Sequence, residues 1–113
     1  MSCPHAARFR ALVNMSPAQI RAWAKDPRAK CYSNASTRSR LGRLAKLRAK
    51  APSSWTAADC AFAARVVSFN ARMKGALARD GCKPGYTISL RNWGHSPRCS
   101  VPAKCKRSAF SRS

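Results

Sequence analysis

Residues 56–81, TAADCAFAARVVSFNARMKGALARDG, have the pattern of one long amphipathic helix. Thr56 is a good helix-capping residue, and Asp59 lies in the first turn, near the positive end of the helix dipole. Gly81 stands where a helix stop is expected. The large apolar residues follow at steps of four, three, four and four, namely Phe62, Val66, Phe69, Met73 and Leu77. This spacing predicts a helix to about residue 78, whose apolar stripe forms the centre of the core.

Two shorter helices are predicted near the start of the chain. The first covers about residues 5–13 and is weakly marked. The second begins after Ser16, because Pro17 suits the first helical position and Gln19 completes a Ser-x-x-Gln capping box. Its apolar pattern ends at residues 26–27, Asp-Pro.

The third predicted helix begins at Ser36 or Thr37 and runs to about residue 51, before Pro52. Leu41, Leu44 and Leu47 share one face. The helix contains no acid, whereas an ordinary solvated helix mixes both signs of charge. Such a cationic stripe is suited to neutralising phosphates, although it could also be a solvated surface. Its six candidate phosphate contacts are Arg38, Arg40, Arg43, Lys46, Arg48 and Lys50.

The remaining segments have weaker patterns. Residues 86–90 are expected to form a short strand or extended lead-in, unless Ser89 caps a single helical turn. We expect one helical domain over residues 1–97 and a basic, serine-rich tail over residues 98–113. The predicted fold class is all-α, with three to four helices and a short closing segment. The tail cations expected to bind phosphate are Lys104, Lys106 and Arg107.

The charge balance indicates the class of partner. The 113-residue chain has 23 Lys and Arg residues against three acids, which gives a formal net charge of +20. Self-repulsion at this charge favours a polyanionic partner. We therefore expect a non-enzymatic protein that binds nucleic acid largely without sequence preference, with DNA favoured over RNA. The alternative is a minor structural component of a virion or ribonucleoprotein particle, held by acidic surfaces of a large assembly.

The expected location follows from the apolar runs. No run is long enough to span a bilayer, and the first residues do not resemble a signal peptide. We expect an intracellular protein in the cytoplasm, nucleoid or nucleus, or alternatively one within a virion.

Six cysteines leave three alternatives open: reduced thiols, metal binding, or disulfides formed late, as inside a particle. Cys82, His95, Cys99 and Cys105 are the ligand types of a zinc site, but their spacing fits no compact zinc motif. We therefore expect no metal or other cofactor, and Cys99 and Cys105 either free or disulfide-bonded. Cys60 is expected to be a small buried hydrophobic residue.

No catalytic pattern is present in the sequence. The three Asp residues are scattered, the two His residues are far apart, and there is no glycine-rich phosphate loop. We expect no enzymatic activity and no small-molecule substrate. The tryptophans and tyrosines could stack on bases, but core packing is the favoured interpretation for Trp23 and Trp93.

Two stretches, LVNMSPAQIRAW at 12–23 and YTISLRNWGHSP at 86–97, resemble a family of small, uncharacterised, mostly bacterial proteins. Its members carry VNMT…W and SLxNWGHDP motifs, and some are labelled DNA-binding. Similar endings occur in small basic proteins of large DNA viruses. The resemblance implies a compact helical domain and a DNA role, and it supplies no catalytic residues. This chain differs in being more basic, in its cysteines and tail, and in having Ser96 in place of Asp.

The second of these motifs also has a direct physical interpretation. Residues 92–95, Asn-Trp-Gly-His, are expected to close the domain. Trp93 would pack, Gly94 would permit a tight turn, and His95 would cap backbone carbonyl groups.

Overall fold

The fold is all-α, as predicted, and the computed structural model describes residues 3–31 and 36–102. Five α-helices are present in this part of the chain, and no strand is. They are α1 Ala6–Leu12, α2 Pro17–Ala24, α3 Thr37–Ala49, α4 Ala57–Asp80 and α5 Pro84–Arg91. Two 3₁₀ turns, Pro27–Lys30 and Pro52–Ser54, precede α3 and α4.

The predicted capping box at Ser16 and the predicted helix cap at Thr56 are both confirmed. In α2 the Ser16 hydroxyl accepts a hydrogen bond from the Gln19 N–H, and the Gln19 side chain accepts one from the Ser16 N–H. Thr56 and Asp59 make the same reciprocal pair at the start of α4. These bonds satisfy amide groups that would otherwise have no partner within the helix.

The helices pack in pairs around one core: α2 on α3, α1 on α4, and α4 on α5. The stripe of α4 enters this core only in part, because Phe62 and Val66 are buried whereas Phe69, Met73 and Leu77 are half-buried. The prediction that the whole stripe forms the core centre is wrong. Helix α4 is about 36 Å long, and α1 and α5 are too short to cover it. The largest fully buried apolar side chains are Phe9, Val13, Ile20, Leu41, Leu44, Val66, Ile88 and Leu90.

The segment predicted as a short strand is helix α5. Pro84 occupies its first position, where the missing N–H leaves no helical bond unmade. The alternation of Tyr86, Ile88 and Leu90 suggested a strand, but a strand needs a partner and the described residues contain none. A helix satisfies its own backbone and still buries Ile88 and Leu90.

The closing role expected for residues 92–95 is confirmed. Gly94 has a φ of +85°, and its N–H bonds to the Arg91 carbonyl group. The His95 N–H donates to the Leu90 carbonyl group, and His95 Nδ1 lies 2.6 Å from the Leu12 carbonyl oxygen. The turn after α5 is thereby joined to the end of α1.

Disulfides hold both ends of the described chain. Cys3 is bonded to Cys60 and Cys82 to Cys99, while Cys31 is also disulfide-bonded. The prediction that Cys60 is a buried hydrophobic residue is wrong, because the residue is half-buried and tethers the N-terminal segment to α4. Apolar neighbours in a sequence do not reveal a partner 57 positions away.

The first residues of the predicted tail lie against the domain. Cys99 is fixed to Cys82, Val101 packs on the core, and the Pro102 carbonyl group accepts a hydrogen bond from Arg28. The tail cations Lys104, Lys106 and Arg107 lie outside the described residues.

Candidate nucleic-acid interface

The six cations of α3 divide into two groups of three. Arg38, Arg43 and Lys46 are exposed on the side of the helix that faces away from α2 and the leucines. The other three are only partly exposed and contact the protein itself: Arg40, Arg48 and Lys50. The structure therefore does not bring all six predicted residues into one surface.

The three partly exposed cations hold neighbouring elements together. Arg48 Nε donates to the Val13 carbonyl group at 3.0 Å, next to the end of α1. Lys50 Nζ lies 2.8 Å from Asp59 Oδ2, which links the end of α3 to the first turn of α4. Arg40 lies over the ring of Trp93, with its guanidinium carbon 4.1 Å from the ring centroid.

The exposed group forms the surface that we call the α3 face: Arg38, Ser39, Gly42, Arg43, Lys46 and Ala49. Arg43 is the best anchored of its cations. Its guanidinium carbon lies 4.2 Å from the Phe62 ring centroid, and Nη2 donates to the Ala58 carbonyl group at 3.4 Å. These contacts orient the side chain while it stays exposed to solvent.

Every acidic side chain of the protein is paired with a cation that is not one of those of the α3 face. Asp26 pairs with Arg28, Asp59 with Lys50, and Asp80 with Arg79. The hydrogen bond from Arg28 lowers the pKa of Asp26, and that from Lys50 lowers the pKa of Asp59. For Asp80 the largest cause of the lowered pKa is the hydrogen bond from the Tyr86 hydroxyl. Because the sequence has only these three acids, no carboxylate side chain is left to neutralise the α3 face.

A second cationic surface, on α4, was not predicted. Arg65, Arg72 and Arg79 are exposed and recur every seven residues, which places them along one side of the helix. The seven-residue spacing of these arginines is visible in the sequence, on the same helix as the apolar stripe. Arg65 and Arg72 border a groove of about 430 Å³, which is also lined by Ala64, Ser68, Phe69 and Trp93.

A second cavity, of about 270 Å³, lies beside Trp23, Asp26 and Arg91. Its acid is already paired with Arg28. Burial lowers the pKa of Arg91, and the nearby charge of Arg28 lowers it further. In this cavity the Asp26 carboxylate is already paired with Arg28, and Arg91 is a partly buried cation. Neither side chain is therefore placed to transfer a proton.

The residues considered for metal binding or base stacking have other partners. Cys82 and Cys99 are bonded to each other, and His95 contacts Leu12. Within residues 3–31 and 36–102 no three His, Cys, Asp or Glu side chains come together as a metal site would require. Trp23 is buried, as predicted, and donates to Asn92.

Comparisons with known proteins give no match. No family model matches the chain, and neither a curated protein nor a solved structure matches it significantly. The family resemblance thus depends on the two quoted motifs alone. Among the described helices, none has the length and apolar character that a membrane crossing requires.

Proposed function

We propose that this protein binds nucleic acid through its phosphates, with the α3 face as the principal contact and DNA as the favoured polyanion. One observation carries the proposal. Arg38, Arg43 and Lys46 are exposed together on one helix, and all three acids of the chain are held in ion pairs elsewhere. Each phosphate that these cations neutralise would release condensed counterions, which is the main source of non-specific affinity.

The composition of α3 supports binding that is largely independent of sequence. Its thirteen residues, TRSRLGRLAKLRA, include no Asn, Gln, Asp or Glu. Those are the side chains that read adenine or cytosine in the major groove. Adenine and cytosine would therefore not be read by these side chains, and the Arg and Lys residues of the α3 face are left to contact phosphates and, among the bases, guanine.

We propose further that the protein acts by binding and not by catalysis. The three carboxylates and His95, which could serve as acid or base, are committed to structural contacts. The carboxylates are ion-paired, and His95 joins the closing turn to α1. These contacts favour a function that depends on charge and surface shape and not on proton transfer.

The proposal is tested by equilibrium binding of the full chain to several unrelated DNA duplexes over a series of salt concentrations. We expect similar affinities for all sequences and a steep, parallel decline of log K with log salt. Failure to bind any duplex at low salt would refute the proposal. A strong preference for one sequence would refute the sequence-independent mode.

A second candidate, a structural component of a virion or ribonucleoprotein particle, is favoured by the disulfides. Cys3–Cys60 and Cys82–Cys99 tie both ends of the domain, and such bonds persist where the surroundings are oxidising, as on particle surfaces. Quantitative mass spectrometry of purified particles tests this candidate. A fixed, near-stoichiometric copy number that survives high-salt washing supports it, whereas a variable or salt-labile amount contradicts it.

A further inference from the structure

The groove on α4 contains a pair of stacked aromatic rings with an arginine near each of them. The rings of Phe69 and Trp93 are nearly parallel, 16° apart, with centroids separated by 4.4 Å. Arg40 covers the other face of Trp93, and the guanidinium carbon of Arg72 lies 5.6 Å from the Phe69 centroid. An arginine therefore stands at each end of an aromatic pair, and Arg65 lines the same groove.

This arrangement concentrates positive charge without a counter-charge. Arg40 is half-buried, its Nε has no hydrogen-bond partner, and its Nη2 makes only long contacts to Thr37 and Asn92, of 3.5 and 3.4 Å. Burial lowers the pKa of Arg40, and the charge of Arg65 lowers it further. Arg65 and Arg72 are exposed to water, whereas for half-buried Arg40 the face of Trp93 is the main compensation, since the three carboxylates are paired elsewhere. An anion bound in the groove would reduce the electrostatic repulsion between the arginines that surround it.

From this geometry we infer that the groove holds one unpaired nucleotide of a nucleic-acid strand, with its phosphate between Arg65 and Arg72. The inference rests on the proposed function and adds a separate site for single-stranded nucleic acid. In single-strand binders a positively charged groove follows the phosphate backbone, and this groove has that feature together with the edges of two aromatic rings.

The groove favours a nucleotide over a bare anion or a duplex. Its wall combines arginines and the Ser68 hydroxyl with apolar Ala64, Phe69 and Trp93, so it suits a ligand with both an anionic and an apolar part. In a duplex the faces of the bases are hidden by stacking, and only the backbone would reach the arginines.

The geometry also limits how a base can be recognised. Both faces of Trp93 are covered, one by Phe69 and the other by Arg40, so a base would touch the ring edges and the guanidinium group of Arg72. Guanidinium groups stack on planar rings whatever the base. We therefore expect this site to tolerate all four bases.

Two single substitutions with the same charge change test the inference. Ser68 is exposed between Arg65 and Arg72, so S68E places a carboxylate where it can pair with both arginines. Ser39 is exposed on the α3 face, so S39E adds the same charge to the surface proposed for duplex binding. Fluorescence anisotropy would measure the affinity of each variant for an oligothymidylate strand and for a DNA duplex of equal length.

We expect S68E to weaken binding of the single strand about tenfold and to weaken duplex binding only by the small effect that any added negative charge has. S39E should weaken duplex binding more than single-strand binding. R65Q/R72Q should reproduce the S68E result, whereas R8Q/R21Q, with the same loss of charge from exposed positions on α1 and α2, should affect both probes equally.

Two other outcomes separate this inference from the proposed function. If S68E and R65Q/R72Q weaken single-strand binding no more than their controls do, the groove is not a nucleotide site, and duplex binding by the α3 face still stands. If the unmodified protein binds neither probe at low salt, both are refuted.

Discussion

His95 Nδ1 lies 2.6 Å from the carbonyl oxygen of Leu12, and the histidine is buried at this contact. Because a carbonyl oxygen only accepts, Nδ1 must carry the proton that forms the bond. Burial lowers the pKa of His95, and the charges of Lys74 and Arg91 lower it further, although the bond to Leu12 opposes them. Both the neutral and the charged imidazole can make this bond, so it is burial and the neighbouring cations that favour a neutral histidine in the closing turn.

The first prediction is a loss of stability at mildly acidic pH. The pKa of His95 is lower in the folded chain than its ordinary value of 6.5, so the unfolded chain binds the proton more readily. The contribution of His95 is complete above pH 6.5 and is lost as the pH falls through the folded pKa. Urea denaturation between pH 8 and pH 5 should show the free energy of unfolding decreasing below about 6.5.

The matched variant for this prediction is His95→Asn, which keeps a side-chain donor for Leu12 but does not titrate. Its stability should be nearly constant over the same pH range. The carboxyl groups do not interfere, because the pKa values of Asp26, Asp59 and Asp80 all lie below 3.8. An equal decline in the variant would show that another group is responsible.

The second prediction concerns Gly94. Its φ is +85°, and an added Cβ would lie 2.9 Å from Val13 Cγ1, so Gly94→Ala is both strained and overpacked. Gly81→Ala is the control, because Gly81 also has a positive φ but open space around its Cα. We expect Gly94→Ala to cost about 1–3 kcal/mol more than Gly81→Ala in the free energy of unfolding. Equal costs would mean that Val13 moves aside freely.

The third prediction ranks the disulfides Cys3–Cys60 and Cys82–Cys99 by their effect on stability. Cys3–Cys60 closes a loop with a sequence separation of 57, and Cys82–Cys99 closes one of 17. If each bond stabilises by restricting the unfolded chain, C3A/C60A should cost about 1 kcal/mol more than C82A/C99A. Chemical denaturation of both variants under non-reducing conditions measures the difference. The reverse order would show that contacts in the folded state, and not chain entropy, determine their effect.

Local patterns predicted much of the fold, because each depends on residues close in the sequence. The capping box at Ser16, the helix cap at Thr56 and the turn at Gly94 are of this kind. Features set by distant partners were not predictable. The pairing of Cys60 with Cys3 and the helical state of residues 84–91 depend on what the folded chain places beside them.

The candidate site also has features that the local sequence predicts and features that depend on distant partners. The density of cations on α3 is a property of the sequence, and it identified Arg38, Arg43 and Lys46, which lie exposed. It could not separate them from Lys50, which is neutralised by Asp59, or from Arg40, which lies over Trp93. The charge pattern of the sequence does not show which cations make contacts within the folded protein.

The most direct test of the α3 face is the salt dependence of duplex binding by R38Q/R43Q/K46Q. Each lost phosphate contact should reduce the slope of log K against log salt by about 0.9, so the triple variant should lose about 2 to 3 units. The control R8Q/R21Q/K25Q removes the same charge from exposed positions on and just after α1 and α2, and its slope should change much less. An unchanged slope in R38Q/R43Q/K46Q, or an equal loss in both variants, would contradict binding by this face.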